Sequence, residues 1–210
     1  MGKTHFLRLI ILVLVLAIGP SFLMMVGGTQ NAHAVPIVYT ATLDGASEFP
    51  PNASPGTGFA RVEFDTAART MKVQVTFQDL IGTTTASHIH AATTVPGTGT
   101  AGVATTVPTF PGFPLGVTSG TYDNWFDTSL LSTYNPTFVT ANGGTAAAAE
   151  AALAASLAAG KAYLNIHTTF SPGGEIRGFL EPVPEPSTML LLGSGLIGLA
   201  GYARKKFFKK

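Results

Sequence analysis

Short segments whose apolar residues recur at every second position, each bounded by glycine, proline or aspartate, leave this chain few choices of fold. Met71–Phe77 is the plainest. Val73, Val75 and Phe77 fall on one side and Lys72, Gln74 and Thr76 on the other, which is strand periodicity, because successive side chains of a strand point to opposite faces. Ile37–Leu43 and Phe59–Phe64 alternate likewise, separated by a loop, 45–58, whose prolines at 50, 51 and 55 deny it regular structure. Asp65–Thr70 makes a hairpin of the second and third segments. Thr84–Ala91 reads as a fourth strand, Gly102–Val107 as a fifth, and Gly116–Phe126 as an edge strand beyond the proline-rich loop 108–114. Lys161–Thr168 and Glu175–Leu180 end the series, with Ser171-Pro172-Gly173-Gly174 turning the chain between them. One stretch, Ala146–Ala159, is helical by its alanines and by Leu153 and Leu157 four apart, with Thr145 as N-cap and Gly160 as a left-handed C-cap. The expected fold is mainly β: an antiparallel Greek-key β-sandwich or flattened barrel with one short alanine-rich helix.

The two ends read as addresses. Lys3 and Arg8, the apolar run Leu9–Ile18 and the small-x-small site Ala32-His33-Ala34 form a secretory signal peptide, 1–34, to be cut by signal peptidase after Ala34. At the other end Pro184-Glu185-Pro186 precedes an apolar span, Thr188–Ala203, and a basic tail, Arg204–Lys210. Sixteen helical residues span about 24 Å, slightly short of a typical hydrocarbon core, and the basic tail holds its end in the cytoplasm. In this order the three features resemble the PEP-CTERM sorting signal closely. The resemblance implies that 183–210 is a transmembrane handle for an exosortase, which removes it while delivering the protein to the cell surface or to exopolysaccharide. Export across the inner membrane, a transient membrane anchor and then a surface or matrix location follow as expectations.

Between the ends lie residues 35–182, enough for a single domain with its own core. The chain has no cysteine, so neither a disulfide nor a thiolate metal site is available to it. The formal charge of +1 is misleading because the basic residues sit at the ends. Within 35–182, Arg61, Arg69, Lys72, Lys161 and Arg177 face ten carboxylates. This mildly acidic domain carries no electrostatic footprint for nucleic acid.

The histidines supply the sharpest chemical expectation. In Ser87–His90, Ile89 is the core residue, so His88 and His90 project together from the opposite face; in Tyr163–His167, Leu164 and Ile166 face the core and Tyr163, Asn165 and His167 project outward. If the two strands are neighbours, three imidazoles converge beneath a loop. Three histidines suffice for one copper or zinc ion with a position left open, and the competing reading is that they hydrogen-bond loop carbonyls. Asn165, Glu175 and Arg177 are candidates for a supporting layer, with Glu175 and Arg177 as a structural pair. Trp125, Tyr122, Phe126 and Tyr134 offer a carbohydrate-stacking surface or, alternatively, a plug for one end of the sandwich.

The HIH triplet and the later run YLNIHT with PGGEIRG resemble the CHRD (chordin-type) domain, which implies the β-sandwich fold for 35–182. An outward His-x-His with a distant third histidine and a late Gly-x-x-x-Arg-Gly turn is similar, in these residues only, to copper-zinc superoxide dismutase. That similarity implies copper ligands at His88, His90 and His167 and an anion-guiding role for Arg177. A two-metal site of that kind needs more histidines and a disulfide-stapled loop, which this sequence lacks. The expected function is therefore a non-enzymatic structural, adhesion or binding module of the cell surface or matrix, without catalytic residues, and the alternative is a metal-dependent redox enzyme at the three histidines.

Overall fold

In the computed structural model, residues 35–184 and 194–196 are described. All but one of the expected strands form, and a short one is added: β1 (Ile37–Asp44), β2 (Thr57–Asp65), β3 (Thr70–Gln78), β4 (Thr84–His90), β5 (Gly120–Asp127), β6 (Tyr163–Thr168), β7 (Ile176–Phe179) and the additional β8 (Glu181–Pro182). They form one antiparallel sheet in the order β4-β6-β7-β1-β2-β3-β5, with β8 on β1. Of the two expected architectures the flattened barrel is the nearer, since this single sheet curls into a half-barrel instead of dividing into two layers. The apolar faces of β1, β2, β3, β4, β6 and β7 share one core with Leu43, Val62, Val73, Ile89, Leu164, Ile166 and Ile176 at its centre.

Two helices cover that core. The alanine-rich segment is α2 (Ala146–Ala158), capped by the Thr145 hydroxyl, which accepts from the Ala148 N–H, and followed by Gly160 at φ +64°. Its buried stripe is Ala149, Leu153 and Leu157. A shorter helix, α1 (Pro136–Ala141), was not expected; its signals are local, with Asn135 accepting from the Thr137 N–H and Pro136 at the first position.

The expected fifth strand, Gly102–Val107, is a correction. Only two isolated bridges form there, Val103 to His90 and Thr105 to Tyr134, because its partners lie on different elements and no ladder can extend. The segment 102–116 instead runs irregularly along the free edge of β4, through Ala104 N–H to Ile89 O, Phe110 N–H to Ser87 O and Gly116 N–H to Thr84 O. This covers an edge that would otherwise invite another strand, and it brings loop carbonyls over the histidine face. The signal peptide expected at 1–34 and most of the span expected at 188–203 lie outside the described residues. No helix among the described residues is long and apolar enough to cross a membrane.

Candidate metal centre

β4 and β6 are neighbours, paired His88 to Asn165 and His90 to Tyr163, so the face opposite the core carries His88, His90, Tyr163, Asn165 and His167 together. The expectation that these side chains point outward needs correcting in one respect. The face is the expected one, but loops cover it: His88, His90, Tyr163 and Asn165 are buried and His167 is partly so. Ring centroids lie 5.2 Å apart for His88 and His167, 5.6 Å for His90 and His167, and 5.8 Å for His88 and His90.

Each imidazole spends one nitrogen on a loop. His88 Nε2 lies 2.6 Å from Pro108 O, His90 Nδ1 2.9 Å from Ala101 O, and His167 Nδ1 2.9 Å from Pro172 O. A carbonyl can only accept, so each of these nitrogens carries the proton of its neutral ring and the other nitrogen is a bare lone pair. Those others, His88 Nδ1, His90 Nε2 and His167 Nε2, are buried and have no hydrogen-bond partner. A donor atom from each ring lies within 4.8 Å of the others. The loop-tying reading thus accounts for one nitrogen of each ring and leaves the other unpartnered, and the tie fixes tautomer and orientation.

Burial favours the neutral form of all three rings. Loss of solvent lowers the basicity of all three rings; for His90 it wins over the Ala101 carbonyl and, with repulsion from His167, His88 and Arg177, brings the pKa down to about 4. Beside the trio, Tyr163 stacks on His90 at 4.8 Å and the Arg177 guanidinium lies 4.7 Å from the Tyr163 ring centre. Arg177 donates to Ser47 O, and to Gly99 O at 2.9 Å, which fastens loops 45–56 and 91–119 to the same face. Its carboxylate neighbour is Glu48, at 3.8 Å, whose pKa burial pushes up to about 7 against the pull of Arg177 and the Phe49 N–H.

The expected Glu175–Arg177 pair does not form. Glu175 lies just before β7 and accepts from Ser54 Oγ and Ile81 N–H, both at 2.6 Å, Thr168 Oγ at 2.6 Å and Gly82 N–H at 3.1 Å; it knits the loops before β2 and β4 to the end of β6. Asn165 sits between His88 and Arg177 in register, with its Oδ1 unpartnered. Sequence reasoning did not find Glu48 or the three carbonyls at Ala101, Pro108 and Pro172. The only available hint to the carbonyls was that proline and glycine mark those stretches as loops. Of the four aromatics, Tyr122, Phe126 and Tyr134 are core and Trp125 is exposed.

An antiparallel half-barrel with loops drawn over a three-imidazole cluster defines a small, mainly β domain with a covered histidine face. The family comparison is more specific: the model of the CHRD domain matches residues 39–180, and the chain belongs to that family. The PEP-CTERM protein-sorting motif matches residues 182–205, so the chain is an exported protein sorted to the cell surface by a signal that exosortase recognises. No curated protein and no solved structure matches the chain.

Proposed function

We propose that this protein is a surface-sorted module whose CHRD domain holds one divalent transition-metal ion, copper or zinc, through His88 Nδ1, His90 Nε2 and His167 Nε2. The observation that carries this reading is the set of three buried imidazole nitrogens without a hydrogen-bond partner, on three rings that each offer a ligand atom within 4.8 Å of the others. Unsatisfied buried acceptors in a well-packed domain call for a water or an ion, and an all-imidazole set suits zinc or copper better than the oxygen-seeking magnesium or calcium. The domain's own residues bind and orient: Pro108, Ala101 and Pro172 hold the rings, and Arg177 and Tyr163 close the His90 side. Three loops fastened over the cluster favour a non-enzymatic binding or structural role at the cell surface or matrix. The partial exposure of His167 supports the second reading, a metal-dependent redox enzyme, in which bound copper would supply one-electron chemistry.

Calorimetric titration of the metal-free full chain with copper and zinc tests the proposal. One ion per chain is expected, with loss of most binding in His88→Ala, His90→Ala and His167→Ala alike, because ligands of one ion act as a unit. Absence of stoichiometric binding would overturn both readings; copper binding without any redox turnover would leave the non-enzymatic one.

A further inference from the structure

On the face of β2, β3 and β5 opposite the core, the strand registers place nine side chains in a three-by-three grid. Phe59, Thr76 and Thr121 form one row, Arg61, Gln74 and Asp123 the next, and Glu63, Lys72 and Trp125 the third. The two aromatics occupy opposite corners and are exposed, Phe59 at 47% and Trp125 at 58%. On strand spacings they stand about 17 Å apart along the diagonal. Between them the polar groups hold one another in place: Arg61 contacts Glu63 and donates to Gln74 Oε1 at 3.2 Å, Gln74 donates to Asp123 at 2.8 Å, and Lys72 pairs with Asp123 at 3.3 Å while lying 5.4 Å from the Trp125 ring centre. Shallow hollows run along this face, from the Phe59–Thr121 end to the groove beside Trp125 and Arg69.

We propose that this grid binds a neutral polysaccharide chain, with Phe59 and Trp125 stacking on sugar rings and the Arg61–Gln74–Asp123 row hydrogen-bonding the hydroxyls between them. Stacking needs exposed, rigid rings with an apolar face, and hydroxyl recognition needs donors and acceptors already ordered, so that binding costs little side-chain entropy. The two positive and two negative groups of the grid cancel, which matches an uncharged polyol and gives a polyanion nothing to follow. Four charges among nine positions also make a poor centre for a protein interface, where charged residues are depleted. The site is separate from the histidine cluster, which lies on β4 and β6.

Electrophoresis of the full chain through native gels containing dextran, laminarin or hydroxyethyl cellulose, with alginate as the acidic comparison, tests the proposal. Retardation by at least one neutral polymer is expected, unchanged by a metal chelator. Trp125→Ala and Phe59→Ala should each weaken it about tenfold, the scale of one lost aromatic contact. Phe170→Ala, an exposed aromatic away from the grid, should leave it unaltered. Retardation by none of the neutral polymers, retardation by alginate alone, or wild-type retardation in both grid variants would overturn the assignment.

Discussion

At the scale of single residues, Glu175 shows how a buried carboxylate is made useful. Burial by itself would raise its pKa, but the Ser54 and Thr168 hydroxyls and the Ile81 and Gly82 N–H groups outweigh that and hold it below the usual value of 4.5. A group whose folded pKa is depressed contributes stability above its unfolded pKa and loses it as the pH falls through the folded one. Glu175→Gln turns one acceptor position into a donor facing donors. Denaturant titrations at neutral pH should show a loss of about 2–4 kcal/mol, and below pH 4.5 the gap between variant and parent should shrink; a gap independent of pH would refute this account. Gly178 is constrained by proximity instead: a Cβ there would stand 2.1 Å from the Thr42 carbonyl oxygen of β1, so Gly178→Ala must push two strands apart. Gly97, at φ +70° with open space around it, supplies the contrast. Gly97→Ala should cost only about 1 kcal/mol, the ordinary cost of a left-handed alanine, whereas Gly178→Ala should cost several times more or abolish the cooperative melt.

Among the elements, α2 has both local and tertiary support, and the two can be separated. Thr145→Ala removes the hydroxyl that accepts from Ala148 N–H and should cost about 1 kcal/mol. Leu153→Ala empties a fully buried position and should cost about 2–5 kcal/mol. Equal losses in thermal unfolding would mean that the helix is not held by its leucine stripe. β4 shows the opposite balance, since its histidine face owes its environment to the irregular segment along its edge. That segment explains why Gly102–Val107, which alternates like a strand, does not form one. Its backbone hydrogen bonds go to β4 and to Asn135 instead of to a single partner.

For the whole molecule, the division into 1–34, 35–182 and 183–210 remains a proposal with direct tests. A chain ending at Pro182 should still fold and melt cooperatively, because Leu180 is the last core residue among the described ones; aggregation without strand signal in circular dichroism would move the boundary. In cells the same truncation should fail to reach the surface fraction, and mass spectrometry of the mature protein should find the chain starting near Val35. Saturating metal at 100 times its dissociation constant should stabilise the full chain by about 2.7 kcal/mol, readable as a higher melting temperature that the three histidine variants lack. Gly102–Val107 was misleading and β8 carried no signal, whereas strands β1 to β7, the turn at Ser171–Gly174, α2 with both its caps, the sorting motif and the face on which the histidines lie were legible in the sequence. Each is set by neighbours within a few positions, through the two-residue period, the left-handed tolerance of glycine or the local reach of a capping hydroxyl. Tertiary structure alone decided that His88 and His167, 79 positions apart, meet on one covered face, each with an unpartnered nitrogen. That outcome depends on which strands pair, in which register, and on three carbonyls from two loops, and no local pattern encodes where a loop carbonyl will come to rest. The partner of Arg177 was settled the same way, as Glu48 from a distant loop instead of Glu175 two residues before it. The exposure of Trp125 was too, because whether an aromatic fills the core or faces solvent follows from the sheet face it lands on.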